Sequence, residues 1–189
     1  MYARPSYSRG GSRFLEAIHH GQALEVEMNT LQTISFTGHT PHRAIGTRNL
    51  NGCTAIIVIS EFAALIAHIS PLPYSTSDPY AGEDQMRHFV QRICHKLRNL
   101  DEDFYSAGRM KAGIVCATVG GRVALPEQVR LAEDTLMRVC GRGRVGVFKY
   151  EAGNGGGHTG ARGTVFVDGS AGFGKVFVED KDVRWFREL

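Results

Sequence analysis

The longest apolar stretches fall in the middle of the chain. "CTAIIVI" (53–59) and "AALIAHI" (63–69) carry Ile, Val, Leu or Ala at most positions, with Ser60, Glu61 and Phe62 between them. Short continuous runs of this kind read as strands buried on both faces, here joined as a hairpin. "AGIVCATVG" (112–120) has the same character. Elsewhere the period changes. From Gly82 to Leu97 the apolar positions Met86, Phe89, Val90, Ile93 and Leu97 recur at three- and four-residue spacing, which predicts an amphipathic helix. A second helix is expected to open at Pro126, a favoured first helical position, and to run to Val139 with Val129, Leu131, Ala132 and Leu136 inward.

Three further strands are expected in "RVGVFKYE", "RGTVFVD" and "KVFVED", the last two joined through "GSAGFG". Near the N-terminus the pattern supports a short helix around 13–20 and strands near 23–28 and 31–36. "FTGHTPHRAIG" reads as a loop from its Gly, Pro and Thr content, and "PLPYSTSDPYAG" as an irregular surface excursion. Residues 1–12, rich in Tyr, Ser, Arg and Gly, read as a flexible tail before one domain over 13–189. Mixed helices and strands with successive hairpins indicate an α+β fold.

Composition narrows the function classes. The 189 residues are 42% hydrophobic and 22% charged, which suits one globular domain with a sizeable core. A net charge of +3, thinly spread, is far from a nucleic-acid footprint. No apolar run reaches the roughly 18–20 residues that span a bilayer, and "MYARPSYSRGGSRF" has no apolar signal core, so a cytoplasmic location without membrane insertion is expected. The four cysteines (Cys53, Cys94, Cys116 and Cys140) occur singly, which reads as reduced thiols.

Cys53 opens the first apolar run and His68 lies near the end of the next. A loop centred on Ser60–Glu61 would place the two directly opposite, with Cβ atoms about 4.5–5.5 Å apart on one face. A slip of one residue would put the histidine on the other face. A thiol of ordinary pKa becomes a competent nucleophile when an imidazole shares its proton. Such a histidine needs a third group to fix its ring. Thr47, six residues before Cys53, is in reach if "TRNLNGC" folds back on itself. Gly52 lets the backbone approach a substrate closely, and amides near Asn51 and Gly52 are the expected oxyanion donors. Taken singly, a cysteine at a strand start or a histidine in an apolar strand is more often a core residue. Only their joint placement makes the chemistry worth pursuing.

"TRNLNGC", an apolar strand and then "AHISPLP" resembles the chemoreceptor glutamine deamidase (CheD) family. The likeness extends through "GRMKAGIVCATVGG", "PEQVRLAEDTLMRV" and "FKYEAGNGGGHTGARGTVFVDGSAGFGKVFV", covering about residues 45–178. The element Leu50, Gly52, Cys53 is also similar to the LxGC element of cytotoxic necrotising factor toxins and related deamidases. The resemblance implies a sandwich of mixed β-sheets flanked by helices, with Cys53 as nucleophile, His68 as base and then acid, and Thr47 orienting His68. It implies hydrolysis of a protein glutamine side chain to glutamate through a thioester, with release of ammonia and no metal or cofactor. The alternatives are a silent binding module on the same fold, or transglutamination or peptide cleavage at the same three residues. The chain departs from the family pattern at Asn51 and Gly52, in a shorter Cys-to-His interval, in a longer "AGNGGGHTGARG" and in an apparent insertion, "PYSTSDPYAGED".

Other signals are weaker. "EAGNGGGHTGARG" lacks the GxxxxGK[ST] spacing of a phosphate loop, and reads as an edge loop in which His158 and Arg162 border the site. His19, His20, His39 and His42 show no third ligand at metal-site spacing. Cys94 is expected near the buried face of its helix and His95 in solvent. Trp185 and Phe186 are expected to dock a C-terminal segment on the sheet.

Overall fold

The computed structural model describes residues 11–37, 41–99, 110–153, 160–170 and 174–187. Two β-sheets stack face to face, with helices on both outer faces, so the α+β sandwich expected from the sequence is the observed architecture. The first sheet runs in the order β1 (Ala23–Glu25), β3 (Ala44–Thr47), β9 (Val165–Asp168), β10 (Lys175–Val178), β11 (Lys181–Asp182). It is mixed, because β1 is parallel to β3 while the later pairs are antiparallel. The second sheet runs β2 (Thr30–Ser35), β5 (Ala63–Ile69), β4 (Thr54–Ile59), β6 (Lys111–Val119), with β7 (Arg122–Val123) and a parallel β8 (Val145–Glu151) both paired to β6.

The apolar runs are explained by what covers them. Every residue of β4 and β5 is buried. Ile56 and Val58 face the helices, whereas Ala55, Ile57 and Ile59 face the other sheet. A strand covered on both sides cannot alternate polar and apolar, which is why the sequence shows a run. Helix α2 (Ala81–Asn99) lays Met86, Phe89, Val90, Ile93 and Leu97 on one face of the second sheet, beside α3 (Pro126–Cys140) with Val129, Ala132 and Leu136. The short helix α1 (Arg13–His19) covers the outer face of the first sheet through Phe14 and Ala17.

Four expectations change. The hairpin register differs by two residues. Ser60 Oγ accepts from the amides of Phe62 and Ala63, both at 3.2 Å, and the Ser60 amide donates to Ala63 O at 2.9 Å. The turn is therefore centred on Glu61–Phe62, and His68 faces Ala55 rather than Cys53. Second, the end of "FTGHTPHRAIG" is strand β3 and not loop, since Ala44–Thr47 is buried between β1 and β9. Third, the strand expected near 23–28 is shorter, Ala23–Glu25. Fourth, Ser12 is buried and its carbonyl accepts from Glu16 N at 3.0 Å, so it starts α1 and does not belong to the tail. Residues 1–10 lie outside the described residues.

Candidate active site

β3 of one sheet and β5 of the other end at the same rim, and the site begins there. Thr47, the last residue of β3, is fully buried, and His68, next to last in β5, is 3% exposed. Thr47 Oγ1 lies 2.7 Å from His68 Nδ1 and 2.7 Å from the carbonyl of Val26. A carbonyl only accepts, so the single hydroxyl hydrogen goes to Val26 and the hydroxyl oxygen accepts from Nδ1–H. This fixes the tautomer. Nε2 is left with its lone pair, and it is buried without a hydrogen-bond partner. Burial lowers the His68 pKa; the Val26 carbonyl and the Glu25 carboxylate pull it back up in part. The imidazole therefore favours its neutral, basic form. Glu25 is itself held by Arg48, with Nε to Oε1 at 2.7 Å.

Cys53 sits one residue before β4, at the end of a turn that opens at Asn49, whose φ is +60°, and passes Gly52 at φ +92°. Glycine adopts that last conformation without strain. The turn is pinned from β8. Tyr150 Oη accepts from Gly52 N at 3.0 Å and offers its one hydrogen to the carbonyls of Leu50 and Cys53, the latter at 2.7 Å. Burial pushes this phenol well above the tyrosine range. The Cys53 amide donates back to Leu50 O at 2.5 Å, and Leu50 N donates to Gly163 O at 3.1 Å. The amides at 52 and 53 are thus already engaged, and they are not the free oxyanion donors the sequence suggested. Asn51, exposed at the tip, uses Oδ1 to accept from Gly153 N at 3.4 Å.

Cys53 shares a face with His68, because a two-residue change of register preserves parity. The pair is now offset diagonally instead of directly opposed, and diagonal neighbours in a regular ladder stand about 7–8 Å apart, with Cβ atoms somewhat closer. No Cys53–His68 hydrogen bond forms. Instead Cys53 Sγ contacts Met28 Sδ at 4.0 Å, and the thiol is 5% exposed beneath a Met28 that is 58% exposed. Burial raises the Cys53 pKa, so the resting pair is neutral thiol and neutral imidazole.

Met28 is carried by the turn between β1 and β2, which Asn29 holds. Asn29, at φ +60°, donates its amide to His68 O at 2.7 Å. Its Oδ1 accepts from Ser70 N at 3.0 Å, Ser70 Oγ at 2.8 Å and Gln85 Nε2 at 3.0 Å. Beside it Pro71 reaches Gly52, 3.9 Å from where a Cβ would stand.

The structure brings Thr47 and His68 into contact and places Cys53 and Gly52 at the same rim. Sequence reasoning missed Met28, Asn29 and Tyr150. An asparagine between two strands signals a left-handed turn, so Asn29 was findable; nothing local marks Tyr150, which acts from about a hundred residues away in the chain. Arg162 donates to the carbonyls of Glu151 and Gly153, bracing the edge of the glycine-rich loop, while His158 and His39 lie outside the described residues. Among the described residues no group of three metal-ligating side chains occurs. Cys94 packs partly against the helix-side core, Cys116 and Cys140 are buried, and burial pushes the Cys140 thiol up to about 11. Trp185 meets Phe148 at a ring distance of 5.9 Å, docking the C-terminal segment as expected. No helix of the described chain is long and apolar enough to cross a membrane. No family model matches the chain, and no curated protein matches it.

Proposed function

We propose that the protein is a cysteine-dependent glutamine deamidase of the kind the chemoreceptor deamidase resemblance implies, acting on a glutamine exposed on another protein. The observation that carries the reading is the unpartnered, buried Nε2 of His68, whose tautomer Thr47 sets from the other sheet. A buried polar atom left unsatisfied is costly, and a site that will receive a proton accounts for it. The proposed reaction requires a side-chain rotation that frees Cys53 from Met28 and turns Sγ toward Nε2.

In the proposed reaction His68 Nε2 takes the thiol proton as Sγ bonds to the carboxamide carbon. The oxyanion is met by the Asn51 side-chain NH2, the donor left over from the Oδ1 bond to Gly153. His68 then gives its proton to the amide nitrogen, the C–N bond breaks and ammonia leaves. A water that loses a proton to His68 attacks the thioester, the C–S bond breaks, and the returning proton restores the thiol. Every proton goes through Nε2. Nδ1 stays protonated and bonded to Thr47.

The test is ammonia release from benzyloxycarbonyl-Gln-Gly and from a heat-unfolded protein, with the mass of the products. Wild type releases ammonia and converts amide to acid; Cys53→Ala and His68→Ala do not, while keeping a native circular dichroism spectrum. Equal release by Cys53→Ala would sink the reading. Incorporation of an added primary amine in place of water would reassign the chemistry to transglutamination.

A further inference from the structure

We infer that the groove between β2 and α2 binds an acidic peptide segment as an added strand. β2 is the end strand of its sheet, and among the described residues nothing pairs with its outer side. The Phe36 amide donates to Phe62 O in continuation of the β2–β5 register, so Ile34 and Gln32, two and four residues before it, bond inward to β5. The amides and carbonyls of Leu31 and Thr33 therefore face outward. Exposed edges are usually blunted by charge or proline, yet β2 reads "TLQTIS" and has neither. An edge left open in this way accepts a strand.

The chemistry beside that edge selects the occupant. A cavity of about 520 Å³ lies against it, lined by Leu31 and Thr33 from the strand and by His88, Arg92, His95 and Lys96 from the helix. No Asp or Glu lines it. Arg92 lies over the Phe89 ring at 5.0 Å, and neither Arg92 nor Lys96 joins an ion pair among the described residues. His88, Arg92 and Lys96 are four residues apart, a rise of about 6 Å each along the helix. Alternate side chains of an extended strand repeat at about 7 Å. A strand added to β2 with acidic residues at every second position would thus meet the Arg92 and Lys96 cations in turn, with His88 one helical turn further on, while its main chain completes the ladder. A nucleic acid or an anionic lipid offers charge but no main-chain ladder, which makes peptide the favoured class. The site lies on the helix side of the sheet, away from Cys53, and it stands whatever chemistry Cys53 performs.

Fluorescence anisotropy of the full chain with a labelled eight-residue peptide alternating glutamate and valine tests this. Saturable binding is expected, weakened at least about tenfold when Arg92→Glu and Lys96→Glu are combined. Two further peptides carry N-methyl groups on all glutamate amides or on all valine amides. One of these must lose binding and the other keep it, because only one set of amides faces β2. Equal behaviour of the two methylated peptides would overturn the inference. So would indifference to the double charge reversal, failure of the parent peptide to bind at low salt, or equally tight binding of a single-stranded oligonucleotide of matching charge.

Discussion

Thr47 and His68 belong to different sheets and are joined by a hydrogen bond of 2.7 Å, with the Val26 carbonyl accepting the hydroxyl hydrogen on the far side. One buried hydroxyl thus ties the two layers of the sandwich together and chooses the tautomer of the histidine. Thr47→Val keeps shape and removes the oxygen, leaving Nδ1–H and the Val26 carbonyl unpaired in the interior. A loss of about 1–3 kcal/mol of stability is expected on urea unfolding, and Thr47→Ser should restore most of it. Turnover in the proposed deamidation should fall by about 10- to 100-fold in the valine variant, less than in His68→Ala, with the serine variant near wild type. Serine and valine variants of equal activity would remove Thr47 from the mechanism.

The pH profile follows from the neutral resting pair. Burial lowers His68 from its ordinary 6.5 and raises Cys53 from its ordinary 9.0. The proposed step needs a neutral imidazole and a thiol that still holds its proton. The acid limb of kcat/KM is therefore expected below pH 6.5, and the basic limb above pH 9.0. A thiolate–imidazolium pair would instead place the basic limb at the histidine, and a limb well below 9.0 would show that the pair rests ionised. Stability carries the same sign. Between the lowered His68 value and 6.5 the unfolded chain binds more protons than the folded one, so stability falls as pH drops through that window. His68→Gln should remove that part of the slope.

Tyr150 makes a third test possible. Its hydroxyl takes the Gly52 amide and supports the carbonyls of Leu50 and Cys53, so the turn bearing the thiol is held from β8. Tyr150→Phe leaves those groups without their partner and should cost about 1–3 kcal/mol. The turn should then open locally. Faster iodoacetamide labelling of Cys53, faster amide exchange at 50–53 and slower turnover are expected together. Unchanged labelling with slower turnover would mean that Tyr150 acts on the reaction itself and not on the position of the turn.

How much of this was legible beforehand differs by element. β4, β5, β6, α2 and α3 were readable, because each is an uninterrupted apolar run or a clean helical stripe, and burial writes that pattern directly. The identity of the site residues was readable only as a juxtaposition, Cys53 and His68 flanking one hairpin. Their register was not, since Ser60 makes its turn with a side-chain oxygen and not with an Asn-Gly pair, moving the centre by one residue. β3 was hidden behind Gly and Pro, which suggested a loop. Gly46 is there for another reason: a Cβ on it would stand 2.5 Å from the Phe14 ring. Tyr150 left no trace in the local pattern, because its partners lie in another part of the chain.

Met28 offers the most direct probe of whether Cys53 and His68 work together. Its sulfur contacts Sγ at 4.0 Å while most of its side chain is in solvent, so it shields the thiol on the side away from the core. Met28→Ala removes that cover with little loss of packing, and a stability change under about 1 kcal/mol is expected for so exposed a residue. Water then reaches the thiol, which lessens the desolvation that raises its pKa, so alkylation of Cys53 should quicken and its pH midpoint should move down. The rotation of Sγ toward Nε2 is also released. If His68 is the proton acceptor, the quickened alkylation in Met28→Ala depends on it, and adding His68→Gln should cancel most of the gain. Peptide mapping after a short pulse separates Cys53 from the half-buried Cys94. A gain that survives the loss of His68 would show that Met28 only restricts access, and that the thiol and the imidazole share a face without sharing a proton.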